Sequence, residues 1–110
     1  MMDAQQDRRE LFALVVDYVA PLAEVDALLE DHVRFLDRFY AEGTFLMSGR
    51  QVPREGGFIL AVAQDRTSME AVVTQDPFVR GGVAEYRVLQ VQPTKAGRLV
   101  QPVLDAHLAG

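Results

Sequence analysis

The sequence contains no cysteine. Disulfides, thiolate nucleophiles and cysteine-ligated zinc or iron–sulfur sites are therefore excluded. Positive charge is also scarce: 11 Lys and Arg stand against 16 Asp and Glu, for a net charge of -5. Nucleic-acid binding needs a basic patch to neutralise phosphates, and no arginine-rich run supplies one. Long apolar runs are missing as well. The opening Met-Met-Asp-Ala-Gln-Gln-Asp-Arg-Arg-Glu lacks the apolar core of a signal peptide. No stretch approaches the roughly 20 apolar residues of a membrane span, so neither a membrane nor a nucleic-acid partner is expected and the cytoplasm is the expected location. No glycine-rich loop follows a strand and opens a helix, which argues against a nucleotide cradle. His32 and His107 are far apart, with no His-x-x-x-His spacing and no carboxylate cluster beside them. Neither a metal nor another cofactor is expected.

What is present suits one soluble domain. A chain of 110 residues that is 49% hydrophobic and 25% charged can bury a single core. Residues 1–10 read as a polar extension, 11–97 as the domain, and 98–110 as a semi-apolar tail to which the sequence assigns no element. The longest helical pattern runs from about 23 to 42. Val25, Leu28, Leu29, His32, Leu36, Phe39 and Tyr40 recur at spacings of three and four and form one apolar stripe. Asp26 is placed to cap the first turn, and Gly43 to supply the left-handed stop. Arg34, Asp37 and Arg38 fall on the solvated side.

Four strands surround this helix. Leu11–Tyr18 and Phe58–Ala63 are apolar throughout, as central strands covered on both faces would be. Thr44–Gly49 and Val83–Val91 complete the set. Pro53 and the Gly56-Gly57 pair mark a hairpin loop between the second and third strands. A short helix starts at Asp65 or Thr67, with Glu70 in capping-box spacing from Thr67, and ends at Asp76-Pro77-Phe78. The order strand, helix, strand, strand, helix, strand points to an α+β fold: a ferredoxin-like βαββαβ antiparallel sheet with both helices on one face. The first and third strands then lie in the middle. Two helices cover one side of such a sheet, so the other apolar face is expected to meet a second copy in a homodimer.

The chemistry centres on an inward-facing histidine. His32 either satisfies a buried hydrogen bond or faces a cavity where protons are moved. Asp76 is a carboxylate held in a rigid turn by Pro77, at the end of the sheet where the long helix begins. A His32–Asp76 pair across that gap would orient the imidazole and make it a general acid/base. Ser48 and Arg50 end the second strand, and Arg50 can bind an anionic group. Ser48, Arg50 and Phe78 are the expected substrate-binding side chains. Asp17 and Tyr18 end the first strand near the expected pocket, Tyr40 is assigned to the core, and His107 to an exposed tail.

These residues also carry a resemblance. His32-Val-Arg-Phe35-Leu36 on a helix after the first strand, Glu42-Gly43, a strand ending Ser48-Gly49, the Gly56-Gly57 hairpin, and Asp76-Pro77-Phe78 followed by Gly81 resemble the YciI-like (YCII-related) domain over roughly residues 11–92. One departure is Arg50, where the family pattern has a proline. The resemblance implies a ferredoxin-like fold of the dimeric α+β barrel type, with a His–Asp site that maps to His32 and Asp76. It further implies small-molecule lyase chemistry, such as dehydrochlorination of a chlorinated hydroxyhydroquinone. The expected function is thus a metal-free lyase or hydrolase acting on an aromatic or enol-type ring near the dimer interface. The other reading is a non-catalytic ligand-binding or dimerisation module. A cofactor-free oxygenase of the same architecture is a third, but no motif here points to it.

Overall fold

A computed structural model of the chain describes residues 8–108. The expectation for the N-terminal extension falls mostly on residues 1–7, outside that range. The elements are β1 (Glu10–Tyr18), α1 (Leu22–Ala27), α2 (Leu29–Ala41), β2 (Phe45–Arg50), β3 (Gly56–Ala63), α3 (Arg66–Val73), α4 (Pro77–Arg80), β4 (Ala84–Val91) and α5 (Gln101–His107). The strands form one antiparallel sheet in the order β2-β3-β1-β4. The two strands without alternation, β1 and β3, are the central pair, as their apolarity requires. No helix among the described residues is long and apolar enough to cross a membrane.

Strand parity sorts the two faces. Phe12, Leu14 and Val16 of β1, with Ile59 and Ala61 of β3, point toward the helices. They pack with Val25 of α1, Phe35 and Phe39 of α2, Met69 and Val73 of α3, and Phe78 of α4. The opposite face carries Leu11, Ala13 and Val15, which pair across to Val62, Leu60 and Phe58. There Leu104 of α5 packs on Leu11 and Val62 and covers one end of the sheet. Further along, Met47 and Leu89 remain about half exposed.

The long expected helix is divided, and the short one ends early. Leu28 takes φ -105° and ψ 0°, and its N–H bonds to the Val25 carbonyl three residues back, which tightens the turn and separates α1 from α2. Its side chain rests over Gly81, where an added Cβ would meet Leu28 Cδ1 at 2.4 Å. The break corrects two expectations. Asp26 does not cap: it lies inside α1, which starts after Pro21, and instead meets Arg54 at 2.6 Å. Phe35 replaces Tyr40 in the core, because the stripe is re-phased at Leu28; Tyr40 is 38% exposed. His32 becomes the fourth residue of α2, in its first turn. In the second helical region Asp65, not Thr67, is the cap, accepting from the Ser68 N–H at 2.8 Å. That helix stops at Val73, and Asp76 caps a separate single turn, α4. Gly43 does supply the left-handed stop, with φ 78°.

A bulge in β2 decides what that strand shows the helices. Phe45 pairs with Ala61 on the helix-facing side, and Met47 pairs with Leu60 on the other, with a register shift between them. Leu46 and Met47 therefore share the outer face, and Ser48 and Arg50 return to the inner one. Were the same residues paired without this shift, Met47 and Gly49 would face the helices.

At the hairpin end of the sheet, position 56 tolerates only bare backbone. A Cβ on Gly56 would sit 1.8 Å from the Val16 carbonyl oxygen, whereas one on Gly49 would meet nothing within 4 Å. Gly56→Ala should cost about 1–3 kcal/mol as an overpacked site. Gly49→Ala should stay within about 0.5 kcal/mol of wild type. Urea denaturation of both variants checks the contrast, and equal midpoints would contradict it.

Candidate active site

The first turn of α2 and the cap of α4 meet at a buried carboxylate. Asp76 has no solvent exposure. Its Oδ1 lies 2.8 Å from His32 Nδ1 and accepts the Phe78 backbone N–H at 2.9 Å. Its Oδ2 accepts the Tyr86 hydroxyl at 2.5 Å. Desolvating a carboxylate is costly unless its lone pairs are met, and three donors from three elements meet them here. Burial pushes the Tyr86 phenol far above its ordinary range, with the Asp76 charge and the hydrogen bond adding to the effect. Tyr86 thus remains a donor at any working pH.

His32 is held as firmly as its partner. The Phe78 ring stacks on the imidazole with centroids 3.9 Å apart and planes 6° from parallel, and Phe35 flanks it at 6.0 Å. With Nδ1 directed at Asp76, the other ring nitrogen, Nε2, has no hydrogen-bond partner among the described residues. The imidazole forms part of the wall of a cavity of about 180 Å³ between the helix layer and the sheet. Leu29, Val33 and Leu36 of α2 line its helix side; Ser48, Arg50 and the bare backbone of Gly56 and Gly57 line its sheet side.

The sequence-derived candidates can now be placed. His32 and Asp76 are in contact; Ser48, Arg50 and Phe78 all border the same cavity. Phe78 is 1% exposed, so it mainly fixes the imidazole. Ser48 Oγ is 2.5 Å from the Tyr40 hydroxyl, which gives Tyr40 a polar contact at the rim instead of a place in the core. Tyr18 lines the cavity and meets Phe78 edge-on at 6.0 Å. Asp17 points to the opposite face and pairs with Arg87 at 2.9 Å. Arg34 and Arg38 lie on the solvated side of α2 in short-range ion pairs. His107 is half-buried against Arg9, 3.4 Å away, and takes no part in this cavity. Among the described residues no group of three His, Asp or Glu side chains is arranged to hold a metal ion. Sequence reading missed Tyr86. Its signal was available as strand parity: two positions from Ala84 and Val88, it shares their inward face.

The YCII-related domain matches residues 10–92 of this sequence. The chain belongs to that family. No curated protein matches it. Among solved structures, this YCII-related domain is similar to 5-chloro-2-hydroxyhydroquinone dehydrochlorinase from Burkholderia phenoliruptrix AC1100, solved in complex with 2,5-dihydroxybenzoquinone. The TM-score is 0.62 at 18% identity, over 81% of this chain and 97% of that one. A cofactor-independent oxygenase, SnoaB from Streptomyces nogalater, aligns at TM-score 0.48 and 12% identity over 83% of this chain and 98% of its own. The first likeness shows the shared fold, an antiparallel α+β sheet with the helices of the YCII-related domain on one side.

Tyr86 gives the site a pH signature. In the unfolded chain its phenol ionises near 10.0, while in the fold it stays protonated well beyond that. Its contribution to stability is therefore complete below pH 10 and is lost as the pH climbs past about 10. Wild type should lose stability between about pH 9 and 11, and Tyr86→Phe should lose less over the same interval. At neutral pH the variant should be about 1–3 kcal/mol weaker, since Asp76 Oδ2 loses its donor. Denaturant midpoints at the two pH values test this; parallel losses in both proteins would refute it.

Proposed function

We propose that the cavity is the active site of a small-molecule acid/base enzyme of lyase or hydrolase type. The observation that carries this reading is the 2.8 Å contact between His32 Nδ1 and a fully buried Asp76, with Nε2 left unbonded at a cavity wall. Asp76 accepts the Nδ1 proton and so leaves the Nε2 lone pair to take a proton from a bound molecule. As the imidazole becomes cationic, the carboxylate beside it stabilises the charge. Phe78 stacking prevents the ring from turning away. Ser48 and Arg50 steady an oxygen of the substrate. A cavity of about 150 Å³ accepts benzene, so one of about 180 Å³ suits a single substituted ring. A planar ring of that kind, 2,5-dihydroxybenzoquinone, is the ligand in the dehydrochlorinase of similar fold.

The same ligand serves as a probe, because its enol ring carbons exchange when an acid adds a deuteron to carbon and a base then takes the original proton from the resulting CHD group. In deuterium oxide the protein should accelerate this exchange, read by proton NMR. His32→Ala should lower the rate by about 100-fold or more, and Asp76→Asn should lower it too. The double variant should be little worse than the poorer single one, as for groups that act as a unit. Binding without faster exchange would favour a ligand-binding module instead.

We further propose that two copies associate through the sheet face opposite α1–α4. Ala13, Val15, Phe58 and Leu60 form its half-buried apolar centre, and Met47 and Leu89 are about half exposed beside them. The rim carries both signs in the Asp17–Arg87 pair, so a copy related by a twofold axis meets its own complement. Sedimentation equilibrium at micromolar concentration should give a dimer, and Leu89→Glu should shift it toward monomer. A wild-type monomer under those conditions would refute the interface.

A further inference from the structure

Every charged side chain on the cavity wall is a base or carries positive charge. The lining includes His32 and Arg50, but no Asp or Glu. That distribution is the reverse of the chain as a whole, where acids outnumber bases by 16 to 11. The buried Asp76 behind His32 is already committed to three donors. Asp26, which is not on the lining, is tied to Arg54 at 2.6 Å. The Arg54 hydrogen bond is the main reason its carboxyl is held below the usual range, and Arg50 adds a smaller share through its charge alone.

Arg50 differs from the arginines around it. Arg54 is paired with Asp26, Arg87 with Asp17, and Arg38 with Glu42. The Arg50 side chain makes no hydrogen bond or ion pair with the described residues. A solvated arginine needs no partner, but this one lines the cavity. The β2 bulge turns positions 48 and 50 to the helix-facing side, and Arg50 pairs across the sheet with Gly57, which has no side chain to fill the space. Ser48, two residues earlier on the same side, lies about 7 Å along the strand, which leaves a hydroxyl and a guanidinium on one wall of a single-ring cavity.

We infer that the substrate is a ring compound bearing a carboxylate, held by Arg50 with the ring against the helix wall that carries His32. The inference rests on the reading of this cavity as the ligand site and adds the charge of the ligand to it. A guanidinium binds a carboxylate through two parallel N–H···O bonds, so it fixes orientation as well as affinity. The anion also finds no repelling carboxylate on the lining. A neutral ring of equal shape would fit but leave the guanidinium unanswered.

The experiment compares 2,5-dihydroxybenzoate with 2,5-dihydroxybenzamide, an isosteric pair that differs in charge. Titrations followed by amide NMR at Ser48, Gly49 and Gly57 and by the His32 ring give both affinities. In wild type the acid should bind at least about 10-fold tighter than the amide, and added salt should weaken the acid alone. In Arg50→Gln the two should bind within about twofold of each other. Arg50→Lys, which keeps the charge without the fork, should retain part of the preference. Equal binding in wild type would overturn the charge assignment and leave the cavity reading standing. A preference that survives in Arg50→Gln would overturn the role of Arg50. Failure of both compounds to perturb these resonances would overturn the inference together with the reading of the cavity on which it rests.

Discussion

A carboxylate sealed from water organises this protein. Asp76 can remain buried only while His32, Tyr86 and the Phe78 amide reach it together. Those donors come from α2, β4 and α4, so the requirement couples the helix layer to an edge strand of the sheet. Loss of one donor leaves a charge whose desolvation is no longer offset, a larger penalty than the worth of the bond itself. The geometry around His32 is thus enforced by folding energetics. The same contacts that keep Asp76 inside also choose the tautomer of the imidazole and the direction in which its second nitrogen points. Phe78 adds a further constraint, since one residue supplies both an amide to the carboxylate and a ring to the histidine face.

Much of this was legible from the residues in order. Two uninterrupted apolar strands gave the sheet centre, and the spacing of leucines and aromatics around His32 gave the inward face of α2. Asp76-Pro77 marked a fixed carboxylate, and the expected end of the sheet brought it to His32. The misses share a physical cause. The break at Leu28 depends on a side chain seated over Gly81, more than fifty positions away, and no local pattern encodes that contact. Tyr40 and Phe35 exchanged roles because the break shifted the phase of the stripe. Tyr86 sits in an ordinary alternating strand, and its importance comes from what lies opposite in space. The C-terminal helix likewise forms where Leu104 finds Leu11 and Val62.

The two walls of the cavity differ in character. The helix side holds the His32–Asp76 contact in a tightly packed aromatic setting, where low polarity strengthens each electrostatic contact. The sheet side is more open, with three glycines, a serine and one arginine along the β2–β3 hairpin. A stiff, interlocked helix wall beside a more open sheet wall allows residues on the second to change without disturbing the contacts that hold the first.

The bulge in β2 reduces the identity of that wall to a matter of counting. Leu46 is the one residue that changes the parity between Phe45 and Arg50. Pair the same residues without the shift and the alternation from Phe45 would run on unbroken. The cavity would then be floored by a methionine and a glycine, while the serine and the arginine would turn to the far side of the sheet. Composition and charge would be identical, yet a polar wall would have become a greasy one. A comparison that scores residue types would register no difference at all, because the wall is written in the pairing and not in the letters.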